Sequence, residues 1–269
     1  MRRVNPEGLI ETVSALIEPM RILSLDCPEF TGESLVGALA DLGVSPSTFE
    51  WELNGIEVGD HHLHFDRQEI QGVHAVRFGV HGGLLHVDHP HSAGHHHDHA
   101  HREDDHITYA KLRTQIETAK FSDFVKSHSL GVLRRIAIAK SELSSVEIDQ
   151  IEFPETEGLE WLLATILSCI GLEQLQVRQI FIQQTSPRPS PDRLASHRVL
   201  SGALLSQFTA VHLEASPVGA AILAEFAATV GAPPPLKSAR TSYGLSPEGG
   251  LGRLSLLQAT LGEIGDGNR

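Results

Sequence analysis

Residues 20–44 read MRILSLDCPEFTGESLVGALADLGV, and this stretch sets the fold class. Ile22, Leu23 and Leu25 make a short buried strand, and DCPEFTGES is a turn. Ser34 to Leu42 then has helical spacing, with Leu35, Ala38, Leu39 and Leu42 on one face and Gly43 closing it. Strand, turn and helix in that order are the unit of α/β folds. Asp26 and Cys27 fall at the carboxyl end of the strand, where open α/β sheets commonly bind ligands. Two readings stand for them. A carboxylate and a thiolate there, with Glu33, would hold a metal, and a helix N-terminus would lower the thiol's pKa. Alternatively, Asp26 caps the helix and Cys27 packs inward.

Upstream, residues 5–18 read as a helix begun by Asn5 and Pro6, with Leu9, Ile10, Val13, Leu16 and Ile17 on one face. Pro19 stops it, and Met20 opens the next element, so residues 1–19 read as an extension. Downstream, Ser45 and Pro46 begin a short helix through Leu53. His61 to Val80 alternates with period two about a Gln71-Gly72 turn, the pattern of a β-hairpin. His61, His62, His64 and His74 within it each read more simply as the solvent face of a sheet than as ligands.

Ile107 to Ala119 reads as a helix favoured by Asp104 and Asp105 at its start, and Ser122 begins a long helix to about Leu143, weakened at Gly131. VEIDQIEFPE is extended. Leu159, Leu162, Leu163, Ile166, Leu167 and Ile170 mark an apolar helix ending at Gly171. Within it Cys169 is a small buried hydrophobe. A strand at Val177–Ile182, a proline-rich loop (TSPRPSPDR), a helix from Val199 to Phe208 and a strand at Ala210–Leu213 follow. Ser216-Pro217 starts a helix through Val230, and Leu236 to Tyr243 is a last strand. The expected architecture is one α/β domain over 20–245, with a short β-hairpin and an inserted His-rich disordered loop at 81–106. Residues 246–269 read as a C-terminal tail with one weak apolar stretch.

That inserted loop, HGGLLHVDHPHSAGHHHDHAHREDDH, holds ten of the chain's 17 histidines in 26 residues. Gly82, Gly83, Pro90 and Gly94 break any periodicity, and so polar a run cannot bury an apolar face. Neutral imidazole ligates nickel, copper and zinc well. His91, His95, His96, His97, Asp98, His99, His101 and His106 are the candidate metal ligands. Overlapping sets of imidazoles on a flexible loop bind with moderate affinity and exchange readily, which suits delivery. The bland alternative is a solvated linker.

Composition narrows the partners. A formal charge of −13 argues against a phosphate-binding surface and hence against nucleic acid. No apolar run approaches the ~20 residues that span a bilayer. The start carries no signal-peptide pattern, and two cysteines are too few for a disulfide framework, so a cytoplasmic protein is expected. There is no P-loop, G-x-G-x-x-G, nucleophile elbow or H-E-x-x-H. Glu152, Glu155, Glu157 and Glu160 gather at the start of the apolar helix. Acidic residues there are ordinary dipole partners, or else they form a metal or acid/base site.

Four pieces in order resemble the LarC-type nickel insertion family: residues 20–44; the His/Asp-rich loop leading into HITYAKLRTQIE; VEIDQIEFPETEGLEWLLATI; and LEASPVGAAIL. Asp26, Cys27, Gly32, Gly37, Ala38, Leu39, Leu42 and Gly43 match the first piece, Glu155 the third, and Pro217, Gly219 and Ala220 the fourth. His197 stands roughly where the family has a histidine. Glu152 and Pro154 replace two family histidines, Glu160 stands for an aspartate, and Ala164 for a second. The resemblance implies a nickel chelatase that loads Ni2+ into a pyridinium-type precursor of a nickel-pincer nucleotide cofactor. Asp26, Cys27, Glu155 and Glu160 would be its catalytic residues. It also implies CTP with Mg2+ or Mn2+ if a separate C-terminal domain protein completes the machine. The alternative is a non-catalytic metal-binding chaperone or buffer whose body has lost that chemistry.

Overall fold

The computed structural model describes residues 20–56, 61–70, 72–82, 106–183, 195–206, 214–226, 228–246 and 255–264. The helix expected at 5–18, most of the His-rich loop, the proline-rich segment and the strand expected at 210–213 lie outside these residues.

The expected opening unit is present. β1 (Arg21–Asp26) is followed by a two-residue strand, β2 (Glu29–Phe30), and by α1 (Gly32–Asp41). Thr31, not Asp26, caps α1: its hydroxyl accepts from the Ser34 amide at 3.0 Å, and the Ser34 hydroxyl accepts from the Thr31 amide at 3.2 Å. Next come α2 (Pro46–Leu53) and the hairpin β3 (His61–Ile70) and β4 (Val73–Gly82). Gly72 takes the left-handed conformation that the tight turn requires. The chain continues as β5 (His106–Thr108), α3 (Tyr109–Thr118), α4 (Asp123–Ser144), a 3-10 turn at Ile148–Gln150, β6 (Glu152–Pro154), α5 (Glu155–Gln174) and β7 (Val177–Ile182). It ends with α6 (Ala195–Leu205), β8 (Glu214–Ala215), α7 (Pro217–Glu225), β9 (Thr229–Val230), β10 (Leu236–Leu245) and β11 (Leu256–Ile264).

Seven strands form a mixed sheet in the order β3-β4-β10-β11-β1-β7-β9. β1 and β11 run antiparallel, while β1–β7, β7–β9 and β4–β10 are parallel. α1 lies directly on the sheet. A Cβ on Gly37 would strike the Val76 carbonyl and come within 3.5 Å of the Gly244 Cα, and one on Gly244 would strike the Ser34 carbonyl. The Ser242 hydroxyl donates to the Ala38 carbonyl at 2.9 Å across the same contact. α5 packs beside α1, with the Leu39 side chain against Gly171, and α4 and α7 close over it. The core between these layers holds Leu23, Leu25, Phe30, Leu39, Leu163, Leu167 and Ile222, each at most 1% exposed.

Four expectations differ in detail. Gly171 does not end α5, which runs on to Gln174; the glycine makes room for Leu39 instead. Ile107 is strand rather than helix, because β5 pairs with β6. Thr108 caps α3, its hydroxyl accepting from the Lys111 amide. α7 stops at Glu225, leaving Val230 for β9. The weak apolar stretch of the expected tail is β11, in the middle of the sheet between β10 and β1.

Candidate functional site

The first turns of α1 and α7 meet the third turn of α5. β2 pairs in parallel with β8, and the Ser216 amide donates to the Phe30 carbonyl at 2.8 Å. That bond fixes the start of α7, which Ser216 caps by accepting from the Gly219 amide. A Cβ on Gly32 would lie 2.9 Å from Val218 of α7 and 3.1 Å from Ala164 of α5, so glycine lets the three helices meet.

α5 begins without a side-chain cap. Its start is held by β6, which pairs with β5 in the register His106↔Pro154, Ile107↔Phe153 and Thr108↔Glu152. The Tyr109 amide donates to the Ile151 carbonyl at 2.8 Å, and a Cβ on Gly158 would be 2.6 Å from Ile107. The last residue of the His-rich stretch is therefore fastened opposite the residue that precedes α5, and its neighbour is clamped under that helix's first turn.

On the first two turns of α5 stand Glu157 and Glu160. Partial burial pushes the Glu160 carboxyl above its usual range, and the negative charges of Glu33 and Glu157 push it further. The His197 Nε2 of α6 lies 3.3 Å from Glu157 Oε1. Lys140 of α4 donates to the Glu152 carbonyl at 3.0 Å and lies over the Phe153 ring at 4.3 Å. Burial lowers the Lys140 pKa, and Glu157 opposes that shift. Trp161, edge-on to both Phe153 and His197, forms the apolar wall. The arrangement offers carboxylates, one of them (Glu160) of raised proton affinity, an imidazole and an ammonium group drawn from α1, α4, α5 and α6.

The residues singled out from sequence divide into three groups. Glu160 is in this cluster, with Glu33, Glu157 and His197, while Glu155 opens α5. Asp26 is half-buried at the end of β1, and Cys27 is 1% exposed. Burial, then Asp26 and Glu29, push the Cys27 thiol well above its usual pKa, opposite to the lowering expected from a helix N-terminus. His106 is exposed on β5. His91, His95, His96, His97, Asp98, His99 and His101 lie outside the described residues. Among the described residues no three His, Cys, Asp or Glu side chains are placed to hold a metal ion together. Sequence reasoning missed Lys140 and Trp161. The available signal was a lysine on the inward register of α4, four residues after Ile136.

The family described as "Nickel insertion protein" matches residues 23–268. The chain is 24% identical to the pyridinium-3,5-bisthiocarboxylic acid mononucleotide nickel insertion protein of Geobacillus kaustophilus, over 91% of this chain and 60% of that protein. It is 28% identical to the protein of the same name from Akkermansia muciniphila, over 91% and 61%. A putative nickel insertion protein of Citrifermentans bemidjiense is 26% identical over 91% and 62%. The chain thus spans about three-fifths of the length of these curated relatives. No solved structure matches it.

Proposed function

The chain belongs to the nickel insertion protein family, and from that premise we propose that it inserts or delivers nickel in the biosynthesis of a nickel-pincer nucleotide cofactor. Its substrate would be a pyridinium-type precursor of the kind named for its relatives. One observation carries the reading: the β5–β6 pairing puts the exit of the His-rich stretch against the acidic first turn of α5. In this scheme His91, His95, His96, His97, Asp98, His99 and His101 collect the ion, and His106 hands it toward Glu157 and Glu160.

Ligands must be deprotonated to take a divalent ion, so loading releases any protons that they carry. A carboxylate with a raised pKa accepts them better near neutrality than an ordinary one, which gives Glu160 the role of proton acceptor. Glu155 and Asp26 would supply further oxygen donors. Lys140 offsets the acidic group and suits an anionic part of the precursor. Cys27 stays a protonated thiol unless a bound metal lowers its pKa. CTP with Mg2+ or Mn2+ enters this scheme only if a C-terminal partner domain takes part. The setting is the cytoplasm.

The test is precursor nickelation by the intact chain and by one lacking residues 86–102. A collecting role predicts that the deletion slows nickelation at limiting nickel and that excess nickel restores it. Equal rates at limiting nickel would remove the collecting role.

A further inference from the structure

The seven-stranded sheet has two unlike edges. At one end β9 is only two residues long, Thr229–Val230. At the other, β3 runs for ten residues, His61–Ile70, paired along its whole length with β4 on one side. Among the described residues no strand lies on its other side. The backbone N–H and C=O groups along such an edge are a template for a further strand. The strand is held from within: Leu63 and Phe65 pack on the core, and Phe65 stacks on Phe49 of α2 at 5.4 Å and lies 5.2 Å from Phe78. It is also charged, with Asp66, Arg67 and Glu69 exposed. Charge on an edge ordinarily blocks pairing, unless the incoming strand sets a complementary group against each one.

A second copy of β3, related by a two-fold axis perpendicular to the sheet, keeps every position on its own face. Opposed positions then differ by an even number of residues. Centring the pair on Asp66 or on Arg67 opposes that charge to itself, which is destabilising. Centring it on His64 shortens the ladder and leaves Glu69 unmatched. Centring it on Phe65 opposes no like charges: His61 meets Glu69, His62 meets Gln68, Leu63 meets Arg67 and His64 meets Asp66, each twice. We propose that this edge is an interface between two copies of the chain, β3 pairing antiparallel with β3 of the second copy in the register centred on Phe65. Two imidazole–carboxylate oppositions on each side of the axis supply hydrogen bonds to charged acceptors. The two Phe65 rings extend the row begun by Phe49 and Phe78. α2, which lies against the same strand, adds Trp51, 76% exposed, as apolar surface beside the joint. The pairing does not depend on the nickel reading above.

The test is sedimentation equilibrium of the full chain over a concentration series near neutral pH, where a reversible monomer–dimer equilibrium is expected. His64→Glu sets a carboxylate opposite Asp66 of the second copy at two places and should weaken the dimer about tenfold; His64→Lys should keep it. Within its own hairpin position 64 faces Gly79, so neither variant gains a directly opposed charge inside the chain. Unchanged urea midpoints check that the fold is intact. Disulfide trapping reads the register without relying on those variants. A mixture of His64→Cys and Asp66→Cys chains should cross-link on mild oxidation, and far less when either is alone, because only the mixed pair is directly opposed. Cys27 and Cys169 are buried and do not compete. A monomer at every concentration, a dimer as tight with His64→Glu as without it, or His64→Cys chains linking to themselves in preference to the mixture overturns the proposal.

Discussion

Glu160 carries more of the account than any other single residue. Its carboxyl is pushed up by partial burial and by Glu33 and Glu157, so the folded chain binds that proton more tightly than the unfolded chain. The group therefore costs stability at neutral pH and costs less as the pH falls through its raised value. Glu160→Gln should raise the urea midpoint slightly at pH 7 while lowering nickel transfer by about 100-fold, the scale of a lost proton acceptor. A variant that loses stability together with activity would make the residue structural. Glu225 has the opposite sign. Burial raises its pKa, but hydrogen bonds from His128 at 3.0 Å and Arg135 at 2.9 Å outweigh this and hold it low. Its stabilisation is present above the ordinary carboxylate range and is lost as pH falls through the folded value, so Glu225→Gln should flatten the acid limb of a stability–pH curve. Gly131 explains itself here. In the sequence it reads as a weak point in α4, yet a Cβ there would strike the Glu225 carboxylate. Gly131→Ala should destabilise despite a helix-propensity gain of about 1 kcal/mol, and should cease to do so in a Glu225→Ala background, checked by a double-mutant cycle. A glycine whose reason lies in a residue 94 positions on cannot be read from its own neighbours.

The elements divide by how far their partners lie along the chain. β1, α1, α2 and the β3–β4 hairpin were legible because their signals are local: an apolar run, Ser45-Pro46, and period two about a Gly turn. β11 was not. Its inward residues are Leu257, Ala259 and Leu261, and Ala259 dilutes the alternation that would have marked a strand. Its place in the sheet comes from β10 and β1, which flank it. A chain ending at Ser246 should therefore lose its cooperative unfolding transition by circular dichroism, whereas loss of a mere tail would leave it intact. β5 was missed for the same reason, since three residues become strand only because β6 lies beside them.

At the scale of the whole molecule, the site draws on α1, α4, α5 and α6, with His106, the last residue of the His-rich stretch, on β5 opposite the residue that precedes α5. The sequence showed the acidic group at the start of α5 and the ligand-rich stretch as separate features. Their adjacency depends on a three-residue ladder, and Lys140 and Trp161 join only through packing of α4 on α5. Among the described residues no helix is long and apolar enough to cross a membrane. Nickel uptake by the intact chain should fall as pH drops below about 6.5, where imidazole protonates, followed by equilibrium dialysis from pH 8 to 5. The most direct test of the central claim is nickelation of pyridinium-3,5-bisthiocarboxylic acid mononucleotide, given CTP, Mg2+ or Mn2+ and the C-terminal part of a full-length relative. The account predicts nickel-loaded product with the intact chain and almost none with Glu160→Gln; product at background with the intact chain would contradict it.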